Sequence, residues 1–216
     1  MALAEAGADV AIADLDIAIA RETASKVEAL GRKSLALKVD VADVDSVNHL
    51  IDEMATAFGR LDIAVNNAGI ISIKSIAELS AGDWDRVMAV NAKGVFLCTQ
   101  AELRVMRPRQ FGRIINVASI AGKVGFPDLS HYSASKFAVI GFTNAVAKEV
   151  ATDGVTVNAL CPGIVGTGMW RGDECLSGRW RQEGESEEAS WERHQKTLLP
   201  QGVAQTPEDM SQLFAK

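Results

Sequence analysis

Residues 61–69 read LDIAVNNAG, a short apolar run that passes directly into a polar turn ending in glycine. The run at 61–65 is aliphatic and too short for a helix, which predicts a buried β-strand. The segment before it, 47–58, carries apolar residues at three- and four-residue steps and stops at Gly59, which predicts an amphipathic helix. A helix therefore leads into a strand whose carboxyl end carries polar residues.

The same alternation extends in both directions along the chain. Upstream, apolar runs at 9–13 and 34–39 each end in an aspartate, and the first is followed by a helical pattern that closes at Gly31. Downstream, the predicted elements are a long helix from 80 to about 106, a strand at 113–117, a helix from 132 to about 151 and a strand at 156–160. This repetition predicts an α/β fold, a doubly wound, Rossmann-like parallel sheet with helices on both faces.

The composition limits the classes of function that fit. A chain of 216 residues with 48% hydrophobic residues is long enough for one well-buried domain, so we expect a single domain over 1–216. The net charge of -6 gives no electrostatic reason to bind nucleic acid or an anionic membrane, and no apolar run is long enough to cross a bilayer. The three cysteines form no C-x-x-C pair, which suggests neither a disulfide framework nor a metal site. We expect a cytoplasmic protein with a small-molecule partner.

Residues that could bind a ligand lie at or just after the carboxyl ends of the predicted strands. This is the edge where open α/β sheets bind ligands. Each residue alone has an ordinary structural explanation, because Asp and Asn often cap helices and Pro-Gly often forms turns. Their shared placement is what favours a ligand site. The residues are Asp14, Asp40, Asn66, Asn67, Ala68, Gly69, Ser119, Pro162 and Gly163.

The stretch 119–136, SIAGKVGFPDLSHYSASK, contains the only tyrosine of the chain. Tyr132 stands four residues before Lys136, so on a helix the two side chains share one face and the ammonium can act on the phenol. His131 points elsewhere on such a helix, and we assign it no catalytic role. The spacing predicts acid/base chemistry, although a tyrosine and a lysine at this distance are a weak signal by themselves.

In combination, these motifs resemble those of the short-chain dehydrogenases/reductases. The matching stretches are NNAG at 66–69, VNAKG around Asn91, INVAS ending at Ser119, YSASK at 132–136 and CPGIVGT at 161–167. Their order and spacing agree from about residue 3 to about residue 214. The resemblance implies a Rossmann-like fold and a nicotinamide-dependent hydride transfer between an alcohol and a carbonyl.

The resemblance also implies a role for each motif residue. Tyr132 is the implied general acid/base, Ser119 holds the substrate oxygen, and Asn91 keeps a water in a proton relay to Lys136. A phenol with a pKa of about 10 must become more acidic for this role, and an ammonium about 4 Å away contributes up to ~4 kcal/mol at an effective dielectric near 20, to which a positively charged nicotinamide adds. The residues implied to bind the dinucleotide are Asp14, Asp40, Val41, Asn67, Ala68, Gly69, Tyr132, Lys136, Pro162, Gly163, Val165 and Thr167.

Asp14 predicts which dinucleotide is preferred. An acidic side chain at the end of the second strand of a dinucleotide fold accepts hydrogen bonds from the ribose hydroxyls and repels a 2'-phosphate. We therefore expect NAD rather than NADP. Asp14 at this position could equally be a helix N-cap, and both roles can hold at once.

The chain departs from the family pattern at both ends. Members begin with an apolar strand and a T-G-x-x-x-G-x-G turn, and no such glycine cluster occurs here. That strand is central in the family, so we expect a sheet lacking the first strand and the Gly-rich turn, with unpaired edges beside 9–13 and 61–65. The family's last strand is missing as well. A non-catalytic, truncated form that cannot bind the dinucleotide therefore remains the alternative.

Three tryptophans and many charges lie at 169–196, which predicts a substrate lid or, equally, a solvated helical hairpin. The wording GIVGTGMW and LLPQGVAQTPEDM resembles the polyol and diol dehydrogenases of the family. That resemblance implies a secondary alcohol and its ketone as the substrate pair. The helices that begin near Trp84 and Tyr132 form the family's dimer surface, so a homo-oligomer is implied.

Overall fold

Five parallel strands joined by helices make up the first of two compact units, Met1–Cys161, in this computed structural model, which describes residues 1–212. The second unit begins at Pro162. The elements of the first unit are α1 Ala2–Glu5, β1 Val10–Asp14, α2 Ile17–Ala29, β2 Ser34–Lys38, α3 Val44–Phe58, β3 Ile63–Asn66, α4 Ala81–Met88, a π-helix Ala89–Lys93, α5 Gly94–Met106, a 3-10 turn Arg107–Arg109, β4 Gly112–Val117, a second 3-10 turn Ile120–Gly122, α6 Ser130–Glu149 and β5 Val155–Leu160.

The strands form two sheets rather than one. β1 pairs in parallel with β2, from Val10 opposite Ser34 to Asp14 opposite Lys38. The second sheet has the parallel order β3-β4-β5. Within residues 1–212, β1 has β2 as its sole neighbour and β3 has β4 as its sole neighbour. The predicted α/β fold is confirmed, including the two unpaired edges that follow from the lack of a first strand.

Side-chain caps set the ends of several helices. Asp16 caps α2 by accepting a hydrogen bond from the Ala18 N–H, at 2.8 Å. Ser80 caps α4, and Gly59 ends α3 with a φ of 71°, a left-handed conformation that glycine adopts without strain. The helix predicted from 80 to about 106 is interrupted, since a π-helix of five residues separates α4 from α5.

The core of the first unit includes two clusters of buried apolar side chains. Val47, Ile51 and Met54 of α3 pack with Leu97 and Cys98 of α5. A second cluster joins the three strands β3, β4 and β5 to the ends of α5 and α6, and its members are Ala64, Met106, Ile114, Val150, Val155 and Val157. Cys98 is thus a small apolar core residue.

In its described part, residues 162–212, the second unit contains three helices, α7 Leu176–Arg179, α8 Glu187–Leu198 and α9 Pro207–Ser211. Trp170 is its aromatic centre, with ring centroids about 6 Å from those of Trp180, Trp191 and His194. Thr206 and Asp209 form a capping box at the start of α9. The end of the family resemblance, near residue 214, lies outside the described residues.

No helix in the part of the chain that the structure describes is long and apolar enough to span a bilayer. Among the same residues, no cluster of three or more His, Cys, Asp or Glu side chains has the arrangement of a metal site.

Candidate active site

Tyr132 and Lys136 lie one turn apart near the start of α6, and both are buried. The Lys136 Nζ is 5.7 Å from the centroid of the Tyr132 ring and donates a hydrogen bond to the Val117 carbonyl, at 2.8 Å. Ser119 follows β4 by two residues, and its side chain forms a hydrogen bond with Tyr132. The end of β4 and the first turns of α6 therefore bring Ser119, Tyr132 and Lys136 together.

Burial dominates the titration of this group. It raises the pKa of Tyr132, and the hydrogen bond with Ser119 offsets only part of that rise. Burial also lowers the pKa of Lys136 to about 8. The net shift of the Tyr132 pKa is therefore upward, because desolvation of the phenol outweighs its hydrogen bond with Ser119. The lowering expected from Lys136 together with a bound, positively charged nicotinamide stays a prediction.

Asn91 is fully buried in the π-helix between α4 and α5. Its Oδ1 accepts a hydrogen bond from the Ile70 N–H at 2.8 Å, and its Nδ2 donates to the Ile70 carbonyl at 2.9 Å. The Nδ2 also donates to Ser135 Oγ, which in turn donates to the Tyr132 carbonyl. Single π-turns inserted in helices are frequent at functional sites. Here the π-helix ties the turn after β3 to the helix that carries Tyr132.

Gly69 stands where these elements meet. A Cβ at this position would lie 3.5 Å from both Asn91 Oδ1 and Lys136 Nζ. The turn after β3 thus comes into direct contact with the buried amide and the buried ammonium. Gly69 therefore neighbours Asn91 and Lys136, two of the four residues predicted as catalytic. The other two, Ser119 and Tyr132, form a hydrogen bond with each other, and Tyr132 lies one turn before Lys136 on α6.

Two further residues at the site carry signals that the sequence reasoning did not use. Ser135 is fully buried and links Asn91 to the backbone of Tyr132. Its position within the YSASK motif is the feature of the sequence that could have indicated a role at the site. Ser72 Oγ lies 2.5 Å from Nε2 of the fully buried His131. His131 thus contacts the segment after Gly69.

A cavity of about 520 Å³ lies beside the carboxyl ends of β1 and β3. Asp14 lines it, and one of its carboxylate oxygens accepts a hydrogen bond from the Asp16 N–H at 2.9 Å. The helix cap itself is Asp16 rather than Asp14. Six of the residues predicted to bind the dinucleotide line this one cavity: Asp14, Asp40, Val41, Asn67, Ala68 and Gly69.

The cavity lining suits the ribose of a dinucleotide better than its pyrophosphate. A carboxylate at the end of β1 and a glycine next to Lys136 suit the ribose hydroxyls and a close approach of the cofactor to the buried ammonium. Pyrophosphate needs backbone amides at a glycine-rich turn or at a helix N-terminus. Among residues 1–212, the cavity lining includes no glycine-rich turn, and the helix start that it does include, Gly94 of α5, directly continues the π-helix Ala89–Lys93.

The remaining predicted cofactor residues, Pro162, Gly163, Val165 and Thr167, lie in the segment that opens the second unit. Gln205 holds this segment inside that unit: its side chain accepts a hydrogen bond from the Gly163 N–H, and its backbone N–H donates to the Ile164 carbonyl. Val165 and Gln205 also form an isolated bridge.

Comparison with known proteins gives a consistent result. The family model described as short chain dehydrogenase matches residues 1–174. An L-2,3-butanediol dehydrogenase from Corynebacterium glutamicum is 46% identical over 171 residues, which cover 78% of this chain and 66% of that protein. A 3-oxoacyl-[acyl-carrier-protein] reductase from Synechocystis sp. is 44% identical over 145 residues, which cover 67% of this chain and 59% of that protein.

The fold is also similar to that of a solved structure, NAD⁺-bound xylitol dehydrogenase. The TM-score is 0.91 at 27% sequence identity, and the match covers 99% of this chain and 84% of the other. The match to the curated relatives is less complete in length, since it covers 59% of the reductase and 66% of the butanediol dehydrogenase.

Proposed function

The chain belongs to the short-chain dehydrogenase family, and on that premise we propose that it serves as an NAD-dependent oxidoreductase that interconverts a secondary alcohol and its ketone. The observation that carries the proposal is that Ser119 forms a hydrogen bond with Tyr132, which lies one turn before Lys136, and that both Tyr132 and Lys136 are buried. These three residues supply a proton donor (Tyr132), a hydrogen-bond donor (Ser119) and a cation (Lys136) in one small region. When bound, the nicotinamide dinucleotide supplies or accepts the hydride.

Tyr132 moves the proton at the substrate oxygen, and Ser119 holds that oxygen by a hydrogen bond. Burial raises the pKa of Tyr132, so the phenol is protonated near neutral pH and ready to donate a proton during carbonyl reduction. For alcohol oxidation the phenol must first lose its proton. We therefore expect the oxidation rate to rise with pH, and a rate independent of pH would count against Tyr132 as the base.

Lys136 and Asn91 complete a proton path behind the phenol. Because burial lowers the pKa of Lys136 to about 8, its ammonium can exchange a proton close to neutral pH. Asn91 is held rigidly by Ile70 and Ser135, and in the proposed relay it keeps a water within reach of Lys136. If this relay operates, the parent protein should show a solvent isotope effect on its rate, and that effect should be smaller in the Asn91→Ala variant.

The preference for NAD rests on Asp14. Its carboxylate lies at the end of β1 and lines the cavity, where a 2'-phosphate would meet a negative charge. We propose that Asp40, Val41, Asn67, Ala68 and Gly69 border the adenosine and the dinucleotide backbone, and that Pro162, Gly163, Val165 and Thr167 flank the nicotinamide. A higher catalytic efficiency with NADP than with NAD would refute the preference.

The proposed substrates are polyols or short diols. Support comes from the names of two similar proteins, a butanediol dehydrogenase and a xylitol dehydrogenase. We propose that residues 169–196, with α7 and α8, cover the substrate. Comparing turnover of polyols, short diols, 3-oxoacyl thioesters and steroids with one preparation tests the class, and a clear preference for steroids or thioesters would exclude it.

The second candidate function is a non-catalytic form that does not bind the dinucleotide. The observation that favours it is the pair of unjoined sheets beside a cavity whose described lining includes no phosphate-binding turn. Titration of the purified 216-residue chain with NAD separates the two candidates. Tight binding would exclude the non-catalytic form, whereas no binding would exclude catalysis by this form.

We also propose a homodimer in the cytoplasm. Trp84, Phe96 and Phe137 are large apolar side chains on α4, α5 and α6, and each is about 40–50% exposed. The three free cysteines suit a reducing compartment. Light scattering on the purified protein would contradict the dimer if it gave the mass of one chain.

A further inference from the structure

Residues 70–74 follow the turn after β3 and are held at every second position. Ile70 exchanges two hydrogen bonds with the Asn91 side chain, at 2.8 and 2.9 Å. The alternate residues after it, Ser72 and Lys74, contact the chain where it enters α6. The segment is thus fixed both to the π-helix and to the start of α6.

Two hydrogen bonds form the contact with α6. The Lys74 N–H donates to the Asp128 carbonyl at 2.9 Å, and Ser72 Oγ lies 2.5 Å from Nε2 of His131. In the sequence, Ser72 and His131 are 59 residues apart. Because His131 directly precedes Tyr132, the second of these bonds acts on the turn that carries the proposed acid/base.

α6 depends on such a contact because it begins without a side-chain cap. Its N-cap residue is Leu129, whose side chain cannot accept a hydrogen bond from the first N–H groups of the helix. An uncapped helix start frays unless tertiary contacts hold it. The bonds at Asp128 and His131 lie on either side of Leu129 in the sequence and hold this start.

His131 is suited to this contact as a neutral imidazole. The side chain is fully buried, and burial lowers its pKa. The charged groups around it act in both directions, since Asp83 raises the pKa whereas Lys74 and Arg86 lower it. Within the described residues, Nδ1 is buried and has no hydrogen-bond partner. A protonated imidazole donates from both nitrogens and would leave one of these donors unpaired, whereas the neutral ring bonds Ser72 through Nε2 alone.

We propose that His131 is a positioning residue: through Nε2 and Ser72 it fixes the first turn of α6 against residues 70–74 and keeps the Tyr132 phenol in its buried place. Tyr132 is 6% exposed, so fraying of this turn would admit water to the phenol. A shift of about 1 Å at a reacting group can lower a rate about 10²-fold. The effect on the rate rests on the proposed function, whereas the effect on the burial of Tyr132 does not.

The first test follows the titration of Tyr132 in the 216-residue chain without NAD. Tyr132 is the only tyrosine of the chain, so ¹³C at the tyrosine Cζ gives a single NMR resonance that reports the charge of this phenol. Burial raises the Tyr132 pKa in the parent chain. A loosened turn should therefore bring the pKa down toward the ordinary value of about 10.

Two variants at one position separate the hydrogen bond from the ring. The amide of His131→Gln lies near the place of Nε2 and can still bond Ser72, whereas the amide of His131→Asn lies near the place of Nδ1 and cannot reach it. We expect His131→Asn to lower the Tyr132 pKa and His131→Gln to keep the parent value. An unchanged pKa in His131→Asn, or equal shifts in both variants, would overturn the proposal.

A second pair of variants tests the other side of the bond. Ser72→Ala removes the hydroxyl that contacts His131 and should lower the Tyr132 pKa, with no further shift when it is combined with His131→Asn. Ser133→Ala, on the same turn of α6, is the matched control, since its buried hydroxyl has no hydrogen-bond partner within residues 1–212. Additive shifts from Ser72→Ala and His131→Asn, or a shift in Ser133→Ala as large as that in Ser72→Ala, would also overturn the proposal.

Steady-state kinetics with NAD and a secondary alcohol distinguish positioning from an effect on stability alone. We expect His131→Asn to lose about 10-fold or more in kcat with an unchanged KM for NAD, and His131→Gln to restore kcat. A lower melting temperature of His131→Asn with an unchanged kcat would contradict positioning. A lack of turnover by the parent chain would leave the titrations intact and would count against the proposed function alone.

Discussion

Replacing Glu102 by glutamine should raise the free energy of unfolding at neutral pH and leave it unchanged in acid. Glu102 is 4% exposed, and burial raises its pKa from 4.5 to about 7. Cys98 stands four residues earlier on α5, and burial together with the charge of Glu102 raises the pKa of its thiol to about 12, so the thiol is neutral. The charged form of Glu102 therefore has no compensating cation among the groups that shift its pKa.

The magnitude follows from the linkage between protonation and folding. The folded state holds the proton between pH 4.5 and about 7, whereas the unfolded state releases it, so stability falls as the pH rises through this window. At about 1.4 kcal/mol per pKa unit, the loss reaches about 3 kcal/mol above pH 7. Glutamine keeps an oxygen that can accept the hydrogen bond from Asn66 and carries no charge.

Urea unfolding from pH 4 to pH 8 measures the effect. We expect the Glu102→Gln variant to match the parent protein near pH 4 and to exceed it by about 3 kcal/mol near pH 8. Glu53→Gln, at an exposed position on α3, serves as the matched control and should show no such trend. A difference between Glu102→Gln and the parent that stays constant with pH would refute the reasoning.

Two further predictions concern the cavity and the support of α6. Asp14→Ala should reduce the ratio of kcat/KM with NAD to kcat/KM with NADP about 10-fold or more, because the variant loses the hydrogen bonds from the ribose hydroxyls and no longer repels a 2'-phosphate. Steady-state kinetics with both cofactors measure this ratio, and an unchanged ratio would contradict the prediction. Gly122→Ala should lower the free energy of unfolding by about 1–3 kcal/mol, because its Cβ would lie 2.7 Å from the Lys136 carbonyl oxygen. Gly125→Ala, with no atom within 4 Å of its Cβ, is the control in urea unfolding, and equal stability of the two variants would contradict the contact.

The order of elements and the edge that carries the site could be predicted from the sequence. Short apolar runs that end in polar residues repeat through the first unit, and parallel strands bring their carboxyl ends to one edge. Asp14, Asp40 and Asn67 therefore line one cavity although they are far apart in the chain. The two unpaired sheet edges followed from the lack of the family's central first strand.

Features that depend on tertiary contacts could not be predicted in this way. An acid within GVFLCTQAELRVM is typical of a helix surface, yet Glu102 is buried and accepts a hydrogen bond from Asn66, 36 residues earlier in the chain. The π-helix around Asn91 could not be recognised from the sequence, because the apolar pattern continues without a break through α4 and α5. The four-residue spacing of Tyr132 and Lys136 indicates that the ammonium lies near the phenol. It contains no information on how deeply the two groups are buried, and burial sets the direction of both pKa shifts.

The most direct test of the proposed chemistry is NADH formation from a short diol or polyol at alkaline pH, measured for the parent chain and for Tyr132→Phe. Phenylalanine preserves the ring in its buried site and removes the hydroxyl that moves the proton. The account predicts turnover by the parent chain and a loss of about 10²- to 10⁴-fold in kcat for the variant, with NAD affinity retained. Equal turnover by the two proteins, or NAD binding by the parent without oxidation of any secondary alcohol, would contradict it.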